Sequence, residues 1–435
     1  MACLHQSLNY KPTKMKRYEK YKESGISWIG EIPEHWEVRK IKYVFTERSE
    51  KGYPNEPVLC STQKYGVIPQ SIYENRVVEV NKGHEGLKLV KEGNFVISLR
   101  SFQGGIEYAY YRGIISAAYT VLELNHDYSS EYLRYLLKSF PFIQLLQTCV
   151  TGIREGQNIN FELLRKNFLL LPPPHEQETI VAYLEEKVAQ MDNLVAKQES
   201  QIAYLRELKQ AVIAKAVTQG LDPQAPLQPS GISWIGNIPE HWEVRMLSQL
   251  SQNYFISNKD IKHQNLLSLS YGRIIQKDIN TTEGLLPASY DTYQVIRREN
   301  IVLRLTDLQN DHKSLRVGLC MQEGIITSAY LTLASRSNVK PEFLYFLLHT
   351  ADIKKVFYGM GSGLRQNLNW KELRKLSLPL PPLSEQEAIV TYIHRKTEEI
   401  DRLIAMTEQE IARVRELKQT LIADVVTGRV NVQPS

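Results

Sequence analysis

A stretch of sixteen residues occurs twice in this chain with a single substitution. The first copy, S-G-I-S-W-I-G-E-I-P-E-H-W-E-V-R, spans residues 24–39, and the second spans residues 230–245 with Glu31 replaced by Asn237. The two copies lie 206 residues apart. Because that period is the size of a domain plus a connecting element, the sequence predicts a fold that is built twice.

Further matching segments follow in the same order in both copies. They are Ile115–Tyr119 with Ile326–Tyr330, Gln157–Asn160 with Gln366–Asn369, Leu171–Pro173 with Leu380–Pro382, Glu176–Glu178 with Glu385–Glu387, and Arg206–Gln210 with Arg415–Gln419. The offset reaches 209 residues at the last pair, so short loop insertions separate the copies.

Composition places the chain among folded cytoplasmic proteins. A length of 435 residues suggests two or three domains, and 43% hydrophobic with 23% charged residues is near the globular average. No apolar run reaches eighteen residues, the N-terminus lacks a signal-peptide core, and the four cysteines are scattered. The net charge of +5 permits an anionic partner without requiring one, and the lysine-rich segment 1–23 is predicted to be a solvated basic tail.

Each copy of the repeat has a mixed first part. Short β-type runs such as Phe95–Leu99 and Tyr119–Leu124 alternate with Gly-rich turns, and a periodic helix candidate at 131–147 is matched at 342–350. These patterns predict two α+β globules of about 150 residues each, over 24–174 and 230–383.

A long helix is predicted after each globule. Segment 175–218 contains neither Pro nor Gly, and its apolar residues alternate at four and three positions, as they do again in 384–428. Gln198 and Lys209 interrupt the first seam, and Thr407 and Lys418 interrupt the second at matching positions. Two seams of equal phase are predicted to pack on each other as a stiff spacer of about 65 Å; the alternative is that each helix covers its own globule or seals an oligomer. A linker is predicted at 219–229 and a loose tail at 429–435.

Catalytic motifs are absent from the sequence. There is no phosphate-binding G-x-x-x-x-G-K-[ST] loop, no G-x-G-x-x-G after a strand, no H-E-x-x-H and no G-x-S-x-G. The Pro-Pro segments lack the flanking residues that amino-methyltransferases use around a target base. The repeated His35 and His241 are interpreted as structural, and Glu185-Glu186-Lys187 lies on a predicted helix as a solvated face. The sequence therefore predicts no catalytic residue and no metal site.

The ordered, doubled motifs resemble a known family. The motif W-I-G-[EN]-I-P-E-H-W-E-V opens each globule, and L-P-P-[PL]-x-E-Q precedes each long helix, which carries R-E-L-K-Q near its end. These motifs are similar to those of specificity subunits of Type I restriction–modification systems, over about 24–428. The resemblance implies an α+β fold: two tandem mixed target recognition domains separated by two long helices that form an antiparallel coiled coil. It implies that each domain reads one half of a bipartite site in double-stranded DNA and that the helices set the unread gap.

The resemblance also implies partners and cofactors. Two methyltransferase (modification) subunits, which use S-adenosylmethionine to methylate adenine, are expected to bind, and two restriction/translocase subunits that use ATP can then join. S-adenosylmethionine, ATP and Mg are expected on those partners, and this chain is expected to have no catalytic activity of its own and no membrane contact.

Differences between the copies indicate where DNA is read. Segments 47–94 and 248–299 diverge strongly, whereas the tryptophans at 28, 36, 234 and 242 are shared and are interpreted as packing residues. Cations there can bind phosphates, and Arg, Asn and Gln can contact base edges. The predicted DNA-binding residues are Lys64, Tyr65, Arg76, Arg100, Ser101, Gln103, Arg154, Gln157 and Asn158 in the first copy, and Lys259, Tyr271, Arg273, Arg304, Arg365, Gln366 and Asn367 in the second. Of these, Arg154, Gln157, Asn158, Arg365, Gln366 and Asn367 lie in matching loops, where the shared identity predicts a common phosphate or backbone contact rather than discrimination.

Because the two globules differ, the predicted target is an asymmetric bipartite site rather than a palindrome. Sites read from one face of B-DNA lie about 34–36 Å apart, which the predicted helical spacer is long enough to supply. Two other hypotheses stay open at this point: a self-contained DNA methyltransferase or nuclease with fused recognition domains, and a coiled-coil scaffold that binds no nucleic acid.

Overall fold

The computed structural model describes residues 16–26, 29–74, 83–125, 128–152, 158–259, 262–280, 289–360 and 367–434. The chain divides into two compact units. The first unit comprises Met1–Gln198 with Gln409–Ser435, and the second comprises Glu199–Glu408. Each unit therefore contains one copy of the repeat and a segment of each of two long helices.

The first copy of the repeat is built from short strands and short helices. Its strands are β1 (Tyr21–Glu23), β2 (Glu31–Pro33), β3 (Glu37–Lys40), β4 (Phe45–Arg48), β5 (Leu59–Thr62), β6 (Gly66–Pro69), β7 (Lys88–Val90), β8 (Phe95–Ile97), β9 (Glu107–Tyr108), β10 (Gly113–Ile115), β11 (Thr120–Leu124), β12 (Val150–Thr151), β13 (Asn158–Ile159) and β14 (Phe168–Leu171). Its helices are α1 (Ile41–Val44), α2 (Ser101–Gly104), α3 (Ser130–Leu136), α4 (Phe140–Thr148) and α5 (Phe161–Leu164), followed by the long helix α6 (Pro174–Gln219).

The second copy follows the same order with fewer elements among its described residues, and a loop replaces α2 between the strands that correspond to β8 and β9. Its strands are β15 (Leu227–Pro229), β16 (Asn237–Pro239), β17 (Glu243–Met246), β18 (Ser251–Asn253), β19 (Leu267–Ser270), β20 (Arg273–Gln276), β21 (Gln294–Ile296), β22 (Ile301–Leu303), β23 (Val317–Leu319), β24 (Gly324–Ile326), β25 (Leu331–Ser335) and β26 (Ser377–Leu380). Its helices are α7 (Leu247–Leu250), α8 (Pro341–Ile353) and α9 (Trp370–Leu373), followed by the long helix α10 (Leu383–Val426).

The same four-stranded antiparallel sheet lies at the centre of each copy, with the order β4-β11-β8-β9 in the first and β18-β25-β22-β23 in the second. Alternate side chains of a strand point to opposite faces of a sheet. Phe95 and Ile97 accordingly lie in the main core of the first unit, and Val96 lies in a smaller cluster with Val121. The remaining strands form two-stranded antiparallel pairs, including the hairpins β5–β6 and β19–β20.

The long helices form part of both hydrophobic cores. In the first unit Ile180 and Leu184 near the start of α6 are buried in the same core as Val425 near the end of α10. In the second unit Ile213 of α6 and Ile389 of α10 take the corresponding places. The helices therefore cover the globules as well as packing on each other.

Ion pairs fix the helices antiparallel in each unit. Lys418 Nζ lies 2.7 Å from Asp192 Oδ1 in the first unit, and Lys209 Nζ lies 2.6 Å from Asp401 Oδ2 in the second. One further contact in each unit has the same reversed order: Gln198 Nε2 donates a hydrogen bond to Glu410 Oε2 in the first unit, and Arg206 pairs with Glu408 in the second. The lysines that interrupt the apolar seams thus bind carboxylates across the helix pair.

Segments outside the predicted domains are more ordered than the sequence indicates. Tyr18 is buried in the first core, β1 pairs with β2, and the backbone N–H of Asn431 donates to Lys16 O over 2.7 Å. In the second copy β15 pairs with β16. The predicted tail 1–23 and linker 219–229 are therefore too long, because the segments before Ser24 and Ser230 each supply one further strand. The predicted loose C-terminus, 429–435, is too long because Asn431 is bonded to the segment before the first of these strands.

Candidate nucleic-acid interface

The residues that the two copies share are used to anchor each long helix to its globule. Glu176, in the first turn of α6, accepts hydrogen bonds from Trp36 Nε1 at 3.1 Å and from the Tyr18 hydroxyl, and lies 2.8 Å from His35 Nε2. Burial and the adjacent Glu176 carboxylate raise the pKa of Tyr18, so this hydroxyl stays a donor. The carboxylate has no solvent-facing side and holds the start of the helix against the motif.

The second copy repeats this arrangement without the tyrosine. Glu385 Oε2 accepts from Trp242 Nε1 at 3.0 Å and lies 2.8 Å from His241 Nε2. Trp36 and Trp242 are buried, which confirms their interpretation as packing residues. Trp234 is half-buried, and Trp28 lies outside the described residues.

The glutamine that follows each of these glutamates donates a hydrogen bond to a backbone carbonyl just before the helix. Gln177 Nε2 donates to Pro172 O over 2.7 Å, and Gln386 Nε2 donates to Pro381 O over 2.9 Å. The repeated P-P-x-x-E-Q motif is therefore scaffold in both copies.

In the first unit two divergent segments lie side by side. The tip of the β5–β6 hairpin packs against α2 so closely that a Cβ on Gly104 would come within 2.7 Å of the Gln63 side chain. Lys138 joins them, because its Nζ donates to Gln63 O over 2.8 Å and to Glu107 Oε2 over 2.6 Å. Burial raises the pKa of the Glu107 carboxyl and the Lys138 charge opposes that shift.

Five predicted residues of the first copy are exposed on this surface or beside it. Helix α2 also packs against β13, which carries Asn158. The exposed set is Lys64, Tyr65, Arg100, Gln103 and Asn158. Lys64 Nζ lies 4.8 Å from the centroid of the Tyr65 ring.

Ser101 is a correction to the predicted set. Its side chain is buried, and its hydroxyl oxygen accepts a hydrogen bond from Ser98 N at 2.9 Å. The residue shapes the turn into α2 and has no surface to offer a ligand.

A corresponding surface in the second unit is formed by different residues. The turn between β19 and β20 presents Tyr271 and Arg273, and Gly272 packs there against Leu315, which precedes β23. Beside it lies the segment from Arg304 to Ser314, the 304–314 loop. Arg304 Nη2 lies 3.7 Å from Asp311 Oδ2.

The 304–314 loop is fixed by polar contacts. Hydrogen bonds from Ser314 lower the pKa of Asp311 to about 2, so its carboxylate is ionised. Asn367 Oδ1 accepts from Asp307 N at 2.8 Å, which places Asn367 at the loop as a support. Arg316, which follows the loop, is fully buried and was not among the predicted residues; its only sequence signal is a charge directly before an apolar strand.

The structure assigns none of the remaining predicted residues to either surface. Lys259 is exposed, and no contact recorded among the described residues joins it to the second surface. Arg76, Arg154, Gln157, Arg365 and Gln366 lie outside the described residues.

The described ranges contain neither a metal-binding cluster nor a membrane-spanning helix. None of their His, Cys, Asp and Glu side chains form a group of three or more that could hold a metal ion. Their helices include none with both the length and the apolar character of a membrane span.

Comparison with known proteins identifies the family. The sequence profile described as Type I restriction modification DNA specificity domain matches residues 33–203 and 320–415, which is more than half of the chain. The chain belongs to this family of Type I restriction–modification DNA specificity domains, as its sequence motifs predict.

Relatives and a solved structure extend along nearly the whole chain. The Type I restriction enzyme MjaVIII specificity subunit of Methanocaldococcus jannaschii is 25% identical over 444 residues, which cover 95% of this chain and 97% of the relative. The EcoBI specificity subunit of Escherichia coli is 23% identical over 296 residues, covering 64% and 61%. A chain from a structural study of complex assembly and conformational transition of the type I R-M system superposes with a TM-score of 0.62 at 15% identity, covering 91% of this chain and 98% of that chain. That likeness supports the predicted fold class.

Proposed function

We propose that this chain is the DNA-specificity subunit of a Type I restriction–modification complex. Each recognition domain reads one half of an asymmetric bipartite site in double-stranded DNA. The long helices set the gap between the halves and dock two methyltransferase subunits, which two restriction/translocase subunits can join in the cytoplasm. The chain itself carries out no catalysis, and S-adenosylmethionine, ATP and Mg belong to the partners.

One observation carries this proposal. The side chains that the copies share are used for helix anchoring, while divergent side chains from separate segments come together and stay exposed. A protein that reads two different half-sites needs a common scaffold and two unlike surfaces. Exposed Lys, Arg, Tyr, Gln and Asn side chains supply the phosphate and base-edge contacts that such reading requires.

Substitution of the two candidate arginines tests the surfaces. We expect Arg100→Ala and Arg304→Ala each to weaken binding of the assembled methyltransferase to DNA by roughly tenfold and to lower the salt slope by about 1, because each removes one cationic contact. Arg39→Ala and Arg245→Ala are the matched controls, since both arginines are exposed but pair with glutamates of the shared motif.

Two results would count against the proposal. Unchanged affinity and unchanged salt slope in both variants would remove the surfaces from DNA recognition. Binding of S-adenosylmethionine by the purified chain alone would favour a self-contained methyltransferase instead.

A further inference from the structure

The 304–314 loop is folded around one buried guanidinium group. Arg316 is 0% exposed, and both of its terminal nitrogens point into the loop. They donate to four loop carbonyl oxygens: Nη1 to Arg304 O at 3.1 Å and Thr306 O at 2.8 Å, and Nη2 to Asp307 O at 3.3 Å and Asp311 O at 2.5 Å. Since a guanidinium donates in a rigid plane, these bonds fix the loop in one shape.

The same arginine connects the loop to the rest of the second unit. Its Nε donates to the Tyr358 hydroxyl over 3.1 Å, and that hydroxyl donates in turn to Asp311 O over 2.9 Å. The backbone N–H of Arg316 donates to Asp352 Oδ2 on α8. Removal of the guanidinium would therefore take away its four bonds to loop carbonyl oxygens, while the backbone contact with α8 and the bond between Asn367 and the loop remain.

The loop needs this support because its own conformation is unfavourable. Asp307 has a φ of +55°, in the left-handed region that residues other than glycine adopt only uncommonly. The loop's exposed side chains include Gln309, Asn310 and Lys313, which are residues of the kind that contact bases and phosphates. A mobile loop would have to be ordered each time DNA binds, and that ordering lowers affinity.

The first copy has no such arginine. Val96 pairs with Glu107 in the first sheet and Val302 pairs with Gly318 in the second, so the position that matches Arg316 is Gly105. The first domain uses Lys138 on a separate segment to hold its own surface. Among the described residues, a buried arginine at this position is therefore found in the second domain and not in the first.

We infer that Arg316 is a positioning residue for DNA recognition by the second domain: it pre-orders the 304–314 loop that reads one half-site. This inference rests on the proposed function. The inference goes beyond that function, because it assigns discrimination of one half-site to a buried residue that does not itself contact DNA.

The test compares Arg316→Met and Arg316→Lys with the wild type in the full chain assembled with its methyltransferase subunit. The control is Arg336→Met, because Arg336 donates to Ser248 O in the same unit and makes no recorded bond to the loop. The probe is a duplex carrying the motif methylated by the wild type, with base substitutions in one half or the other. A second readout, hydrogen exchange of the loop amides without DNA, reports loop order directly.

We expect Arg316→Met to speed exchange of the loop amides and to lower discrimination in one half of the motif by roughly tenfold, with the other half unchanged. Arg316→Lys keeps the charge but not the planar fork, so it should fall between the wild type and Arg316→Met. The control should match the wild type in both readouts.

Equal loss in both halves, or unchanged loop exchange, would overturn the inference, and Arg316→Lys provides the same comparison if Arg316→Met does not fold. If the wild type and Arg316→Met discriminate equally well between the matched and substituted duplexes, the inference is overturned and the proposed function stands. A wild-type complex with no sequence preference would overturn the proposed function, and with it the recognition role of Arg316.

Discussion

At the scale of single residues, Tyr271 is the most unusual exposed side chain of the second surface. It is 77% exposed and has a φ of +45°, next to Gly272 with a φ of +77°. Two positive φ values in a two-residue hairpin turn are typical of a type I′ turn, which favours Asn or Gly rather than an aromatic residue. The first copy also has Tyr65 followed by Gly66 at its hairpin tip. A strained, exposed aromatic residue in this position is a candidate for a functional contact.

Replacement of this tyrosine should change stability and DNA binding in opposite directions. We expect Tyr271→Asn to raise the free energy of unfolding by about 0.5–1 kcal/mol, because asparagine tolerates the left-handed conformation. The same variant should bind DNA roughly tenfold more weakly, since a stacking or phosphate contact is lost. Hydrogen exchange of the β19–β20 amides measures the first effect, and titration with the target duplex measures the second.

Tyr271→Phe is the matched control, because it keeps both the ring and the backbone strain. Its unfolding free energy should equal that of the wild type. Lower stability of Tyr271→Asn, or unchanged DNA affinity, would contradict the account of this turn.

Sequence comparison between the copies identified scaffold residues well and surface residues less well. Shared identity correctly marked Trp36 and Trp242 as packing residues, because both copies need the same helix anchor. The buried state of Ser101 and the role of Arg316 were not predictable, since both depend on contacts between segments that are distant in sequence or folded as loops. No periodicity or spacing encodes such contacts.

At the scale of elements, the two long helices are joined by lysines in seam positions. Lys209 and Asp401 in the second unit are matched by Lys418 and Asp192 in the first. Each pair is partly exposed, so its contribution to stability is small, but it fixes which turns of the helices face each other.

A double-mutant cycle on Lys209→Ala and Asp401→Ala should give a coupling energy of about 0.5–1 kcal/mol that falls in high salt. Urea unfolding of the full chain provides the four free energies. The same cycle on Lys418 and Asp192 serves as the matched pair in the first unit. A coupling energy of zero in both cycles, at low salt, would contradict the assignment of these ion pairs to the helix register.

The long helices were predictable because more than forty residues without Pro or Gly carry an apolar seam. Several strands were not predictable, because they are short and carry no such pattern of apolar residues. Strands β1 and β15 are three residues long, contain Y-K-E and L-Q-P, and show no alternation of apolar and polar residues. Their pairing depends on the turn formed by the repeated motif that follows, so only the folded structure reveals where each copy begins.

At the scale of the whole molecule, duplication and divergence together determine the proposed function. Both units have the same sheet order and the same anchor between the repeated motif and a long helix. Their exposed surfaces differ in the residues presented and in the residue that supports them, Lys138 in one and Arg316 in the other. If these surfaces read DNA as proposed, the target has two unlike halves.

Methylome sequencing of cells that express this chain with its methyltransferase subunit tests that claim most directly. The account predicts one methylated motif with two different specified halves separated by an unspecified gap of constant length. A single continuous motif, or a palindrome with two identical halves, would contradict it.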